Sequence, residues 1–400
     1  MNLPDGVYLN LPEEDYFDQP DRLGSTDLVT LYQRREGWWW QSRHNADHKE
    51  RDRDGLTFGS ALHAILLEGV AAYEARYSVQ PEKGEYIDLV DTIEQMSTAL
   101  AKAGHTFKTS AMKKGDWQVA MREYLPDTPV WSNIVDDFTT GLGLRTPIGA
   151  VDDRAVRYMR EVATDPRRND NEDVRKLFDD EGHPPLAEVT VLWTEEGGVQ
   201  RRGRIDRMYP GFDLDLKSLQ NWSGRSLHYY TGDLIARRGY DIQRADHYEA
   251  RRIGLAMVRE GKRHGGTPEQ RRWIEAIAEA DHLRMEEGGA YINRPYVWLF
   301  FQKPDMVTGV APVLFPVWDD TRAVDGEVST VFSAGMLKRE AALNFYRDQT
   351  KRFGLTHPWA SVSPLHYTDE AYEPRVFFPA WIGDVDPHTT EQETETNEPD

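Results

Sequence analysis

Residues 203–219 read Gly203-Arg204-Ile205-Asp206-Arg207-Met208-Tyr209-Pro210-Gly211-Phe212-Asp213-Leu214-Asp215-Leu216-Lys217-Ser218-Leu219. From Phe212 to Leu219 apolar and charged residues alternate, which predicts a half-buried strand. Strand side chains change faces at every residue, so Asp213, Asp215 and Lys217 share one face while Leu214 and Leu216 enter the core. A preceding strand, Gln200 to Met208, closes at Asp206, and Tyr209-Pro210-Gly211 turns the chain back. An Asp at the end of one strand and an Asp-x-Lys on its partner can converge on one point. Hard divalent ions such as magnesium take oxygen ligands and keep waters for a substrate phosphate. A lysine beside them can orient or deprotonate an attacking water and neutralise developing charge. The pattern therefore points to metal-assisted phosphodiester hydrolysis. Asp-x-Lys on a strand is also a common solvated surface, so the flanking sequence has to decide.

Upstream, Leu186 to Trp193 alternates as a strand carrying Glu188, and Gly197-Gly198 makes a hairpin turn into the Asp206 strand. Arg201, Arg202 and Arg204 put positive charge beside the candidate site, where phosphate contact and plain surface solvation are both open. Leu56 to Glu68 reads as an apolar helix with Gly59, His63, Leu66 and Leu67 on one side. By spacing alone, His63 is a satisfied core histidine. Ser25-Thr26-Asp27 caps a helix from Leu28 to Trp40, whose last residues Trp38-Trp39-Trp40 cannot all face one side. They read as a core anchor, with a stacking platform for DNA as the sharper alternative. Residues 71–180 read as several helices, a layer or arm over the sheet.

Downstream, Tyr240-Asp241-Ile242-Gln243 leads into a helix through Gly254. Thr267-Pro268-Glu269 starts another that runs to about Met285. Tyr296 to Gln302 and Val310 to Val317 are strand-like and complete a central sheet; Met336 to Phe353 is helical. The expected fold class is α/β, a central mixed sheet flanked by helices with an additional helical layer. The expected division is an N-terminal helical region 1–57, a main domain 58–382 with the helical arm and a helical insertion at about 259–290, and an acidic disordered tail 383–400.

The chain has 400 residues and no cysteine, which excludes disulfides and Cys-ligated zinc and fits a reducing cytoplasm. The N-terminus lacks the basic and apolar regions of a signal peptide, and no apolar run is long enough to span a bilayer. The net charge of −20 counts against a protein that coats nucleic acid passively, although a local basic channel can coexist with an acidic exterior. Asp384 to Asp400 contributes seven acids and no Lys or Arg.

An ordered series of segments carries a resemblance. It comprises Leu11-Pro12-Glu13-Glu14-Asp15-Tyr16, the Ser25 to Trp40 helix, Phe58-Gly59-Ser60-Ala61-Leu62-His63 with Leu66-Leu67-Glu68, and Ala187-Glu188-Val189 before Trp193. It continues through Gly203-Arg204-Ile205-Asp206, Asp215-Leu216-Lys217-Ser218 and Tyr240-Asp241-Ile242-Gln243. In order and approximate spacing, from about residue 5 to about 255, the chain resembles the phage-type exodeoxyribonuclease VIII (RecE-like) family of the PD-(D/E)XK nuclease superfamily. The resemblance implies His63, Asp206 and Asp215 as metal ligands, with the Leu216 carbonyl a possible addition. It implies Lys217 as the catalytic lysine, Glu188 as a further acidic site residue, and Gln243 as a helix residue contacting DNA near the scissile bond. The family's Tyr four residues after that Gln is His247 here, and Tyr248 follows one position later, turned off the Gln243 face. The family's Pro before the first Asp is Ile205, and Asp213 is an extra acid that competes with Asp215.

The resemblance further implies a magnesium-dependent exonuclease, with manganese as a substitute. It implies digestion of double-stranded DNA from 5′ ends, a homo-oligomeric ring, and a single-strand annealing protein as partner in phage-type recombination in the host cytoplasm. Three rivals stand beside it. They are a catalytically silent DNA-end binder, an endonuclease of the same superfamily, and a partner-interaction protein acting through Trp38 to Trp40 and the acidic tail.

Overall fold

The computed structural model describes residues 3–35, 37–48, 54–107, 112–178, 184–221, 224–288, 294–303, 313–321 and 327–359. The tail 383–400, the end of the expected main domain, and Val310 to Pro312 of the last expected strand lie outside them. The strands are β1 (Gly6–Leu9), β2 (Tyr77–Val79), β3 (Thr146–Ile148), β4 (Ala187–Thr194), β5 (Gln200–Tyr209), β6 (Phe212–Leu219), β7 (Arg263–Gly265), β8 (Tyr296–Gln302) and β9 (Val313–Asp319). The first helices are α1 (Glu13–Phe17), α2 (Ser25–Arg34), α3 (Gly37–Gln41), α4 (Asp54–His63) and α5 (Val70–Arg76). The arm holds α6 (Ile93–Lys102), α7 (Lys114–Tyr124), α8 (Trp131–Gly141), α9 (Ala150–Thr164) and α10 (Glu172–Lys176). The last four are α11 (Leu227–Arg237), α12 (Tyr240–Arg259), α13 (Pro268–Gly288) and α14 (Thr330–Phe353).

Seven strands form one mixed sheet in the order β7-β1-β4-β5-β6-β8-β9, flanked by helices. The alternation of faces in Phe212 to Leu219 is realised, but the strand is not half-buried: Asp213 and Asp215 are as buried as Leu214 and Leu216, because Arg251 and Gln243 of α12 meet the charged face. Leu214 and Leu216, with Val297, Leu299 and Phe301 of β8, pack on α4 and α9. On the opposite face Val189, Val191, Trp193 and Ile205 pack on α12 and α13 through Ala250, Leu255, Ile274 and Ile277. Burying a Leu- or Ile-sized side chain contributes about 1.5–3 kcal/mol, so these two layers are what fix the register of β4 to β6. Gly197, Gly198 and Gly211 adopt φ of 87°, 81° and 89° at the two turns, the left-handed region that their lack of a Cβ allows.

Three further expectations need correction. The N-terminal region is not helical alone: β1 pairs with both β4 and β7, so it extends the central sheet. The Leu28 to Trp40 helix breaks at Arg35 (φ 43°), and α3 starts afresh at Gly37. The His63 helix stops being α-helical at His63 and widens into a π turn, Ala64–Glu68. The helix read as an insertion relative to the family, α13, packs beside α12 on the same face of the sheet, which is compatible with that reading. Trp38 and Trp39 are buried and anchor α3 against α14, whereas Trp40 is exposed with its indole N–H donating to the Trp359 carbonyl. The arm keeps its own core of Met96, Leu100, Trp117 and Met121 and also holds the parallel β2–β3 pair, which the helical reading missed. No helix among the described residues is long and apolar enough to cross a membrane.

Candidate metal centre

β5 and β6 pair antiparallel through Arg207↔Leu214, Met208↔Asp213 and Tyr209↔Phe212. Beyond Arg207 and Leu214, β5 continues on β4 and β6 continues on β8. The two strands therefore splay, and side chains fill the fork in place of the ladder. The Asp206 carboxylate accepts the Leu216 N–H at 2.7 Å, and the Leu216 carbonyl lies 3.2 Å from His63 Nε2. Two backbone groups that a continuous sheet would have paired are thereby satisfied by site residues.

His63 reaches the fork from the last residue of α4. Its Nδ1 lies 3.4 Å from Glu188 Oε1 and its Nε2 3.7 Å from Asp206 Oδ2. Ligating atoms of His63, Glu188 and Asp206 all fall within 4.8 Å of one another, a group that could hold a metal ion. Gly59, one turn before His63, comes close to Ser218 of β6: a Cβ there would sit 3.5 Å from the Ser218 hydroxyl. The π turn immediately after His63 is a local widening that recurs at functional sites. Glu188 adopts φ 52°, a left-handed conformation rare for a residue with a Cβ and costing about 1–2 kcal/mol. The strain aims its carboxylate at His63 on one side and at Arg204 on the other, with Arg204 Nη1 3.5 Å from Glu188 Oε2.

Asp215 and Lys217 approach the fork from the α12 side. Lys217 Nζ lies 2.5 Å from Asp215 Oδ2, and Gln243 Nε2 donates to Asp215 Oδ1 at 3.2 Å. Asp215 is fully buried. It stands outside the three-donor group, occupied by Lys217 and Gln243, whereas Glu188 stands inside it. That ligand grouping differs from the His63, Asp206 and Asp215 set implied by the resemblance.

The charge states follow from these contacts. Burial works against the His63 imidazolium, but the Asp206 and Glu188 carboxylates outweigh it and raise His63 to about 9. Burial likewise opposes the Lys217 ammonium, and Asp215 and Asp206 together raise its pKa above the usual lysine value. Burial pushes the Asp215 carboxyl up, with Lys217 opposing and Asp206 reinforcing. In the metal-free chain these carboxylates favour the ammonium form of Lys217, paired with Asp215.

The other expected residues divide clearly. Arg204 lines the cleft, its guanidinium 4.2 Å from the Tyr16 ring centroid. Arg202 is turned away from the cleft and donates to the carbonyls of Tyr16, Phe17 and Gln19, tying down the C-terminal end of α1. Arg201 is buried against Asp246. Asp213 makes an ion pair with Arg251 at 2.5 Å and is removed from competition with Asp215. Tyr248 is buried against Phe332 and the guanidinium groups of Arg244 and Arg294, away from the cleft.

His63, Glu188, Asp206, Arg204 and Lys217 all open onto one cleft of about 810 Å³, walled by α1, α4 and α5. Tyr16, Phe17, Tyr77 and Tyr240 give it an aromatic lining that the motif reading did not assign. Comparison with protein-family models and with curated proteins finds no match to this chain.

Proposed function

We propose that the chain is a divalent-metal-dependent deoxyribonuclease with a PD-(D/E)XK-type core, acting as an exonuclease. The observation that carries this reading is the meeting, at one fork of one sheet, of a His63–Glu188–Asp206 donor group, a further carboxylate and a protonated lysine. One imidazole nitrogen and two carboxylates suit magnesium or manganese, with open positions left for water and phosphate. Two of those donors are carboxylates crowded beside a third, and one is bent into a strained backbone to reach the group, which a purely structural site does not need. A bound divalent ion would supply charge neutralisation at the phosphate and a lowered pKa for water.

The chain's own residues supply the rest. Lys217 presents an ammonium at the cleft wall, positioning water and compensating charge on the phosphoryl oxygens. Asp215, gripped by Gln243, fixes where that ammonium points. Arg204, braced by Glu188 and Tyr16, offers a second cation to the phosphate backbone. Water attacks phosphorus as the P–O3′ bond breaks, leaving a 5′ phosphate on one product and a 3′ hydroxyl on the other. Digestion of duplex from 5′ ends, a ring-shaped homo-oligomer and an annealing partner belong to the same proposal and rest on the resemblance over residues 5–255.

The test uses linear duplex labelled at its 5′ or 3′ ends, with magnesium. Wild type is expected to release nucleotides, to spare covalently closed circles, and to lose activity in Lys217→Ala while end binding stays measurable. Equal activity in wild type and Lys217→Ala, or cleavage of closed circles, overturns the exonuclease reading.

A further inference from the structure

The first turn of α12 brackets the Asp215–Lys217 pair from both ends. Gln243 donates to Asp215 Oδ1 at 3.2 Å, and one turn earlier the Tyr240 ring lies with its centroid 5.1 Å from Lys217 Nζ. Residues three apart share a helix face, so the two contacts come from one rigid surface. That turn cannot drift. Gly239 caps it at φ 70°, and a Cβ there would sit 2.7 Å from Val29 of α2, so α12 begins jammed against its neighbour. Tyr240 also packs toward Phe300 and lines the cleft beside Lys217.

We propose that Tyr240 is a positioning residue for Lys217: its aromatic face holds the ammonium between ring and Asp215, in the orientation the cleft requires. This rests on Lys217 serving the proposed hydrolysis. The π face of a tyrosine attracts an ammonium within about 6 Å of its centroid, and partial burial strengthens the attraction. A lysine side chain otherwise keeps most of its rotamer freedom, and a loosely held cation is a poor electrostatic catalyst. The contact with Lys217 is made by the ring, whose centroid lies 5.1 Å from the ammonium, so the contribution assigned here is that of the ring.

Three substitutions separate the possibilities. Tyr240→Phe keeps the ring and is expected to hold kcat within about twofold. Tyr240→Leu is expected to lower kcat by about 3- to 30-fold with KM changed less than about twofold. Incorporation of 3,4,5-trifluorophenylalanine at position 240 keeps the shape but withdraws ring electron density, and should match the Leu variant. A raised KM with unchanged kcat assigns the ring to substrate contact and overturns the proposal. So does a Phe variant as impaired as Leu, or a trifluoro variant as active as Phe. A readout independent of activity is the Lys217 ammonium resonance in ¹H–¹⁵N spectra of metal-free protein. Tyr240→Phe should keep its ring-current shift, and Tyr240→Leu should abolish it; the same resonance in wild type and Tyr240→Leu overturns the placement even if the hydrolytic reading fails.

Discussion

Raising the pH of the metal-free protein from 6 to 9.5 should remove a stabilisation that belongs to His63. Its pKa rises from 6.5 to about 9 because, against the opposing effect of burial, Asp206 and Glu188 favour the imidazolium. A group whose folded pKa is raised stabilises the fold fully below its unfolded value and loses that contribution as pH climbs through the folded value. The window is therefore pH 6.5 to about 9. The interval corresponds to about 3 kcal/mol at 1.36 kcal/mol per pH unit. The His63 side chain keeps 29% exposure, so solvent screening reduces the expectation to roughly 2 kcal/mol. The assay is urea unfolding with chelator at both pH values, for wild type and His63→Gln. Wild type should lose roughly 2 kcal/mol more than the variant across the window. Equal losses would refute the claim that two carboxylates converge on this imidazole. With divalent ion present the trend should reverse in sign for binding, since ion and proton compete for the same nitrogen: affinity should rise with pH through about 9.

Other outcomes follow from the same geometry. Glu188→Gly should be more stable than Glu188→Ala by about 1 kcal/mol, because only glycine adopts φ 52° without strain, while both variants lose ion binding by titration calorimetry. Asp213→Ala should cost about 1.5–3 kcal/mol in denaturant unfolding, since the buried Arg251 guanidinium loses one charged partner and keeps Asp281 and the Phe212 carbonyl. Its residual folded fraction should keep nuclease activity, because Asp213 is no part of the site. Arg202→Ala should lower the unfolding temperature and expose α1 to proteolysis by freeing three carbonyls, and not act as loss of a phosphate contact, whose signature is a reduced salt slope of DNA binding. Deleting Asp384 to Asp400 should leave nucleotide release unchanged.

Two central strands were legible for different reasons: alternation in Phe212 to Leu219 states which side chains share a face, and the continuous apolar run Tyr296 to Gln302 marks a strand buried along its whole length. β1 was not legible: four residues before a helix signature carry too little periodicity to reveal two sheet partners. Asp206, Asp215 and Lys217 could be placed on two adjacent strands, but the fork itself could not. It depends on β5 and β6 choosing different neighbours, a choice made by packing on α4 and α12. The strained Glu188 and the π turn after His63 are conformations that no spacing rule encodes. Tyr240 was visible within its motif but silent, since its role requires knowing that α12 points back at β6. Asp213 and Asp215 look equivalent on one strand face and separate only when Arg251, from α12, claims the first.

The most direct measurement is an anomalous-scattering map from crystals soaked in manganese. A single strong peak should lie within ligand distance of His63, Glu188 and Asp206, with Lys217 beside it and Asp215 still held by Gln243. A peak at any other cluster, or none at the fork despite saturating manganese, contradicts a divalent-ion nuclease centre there.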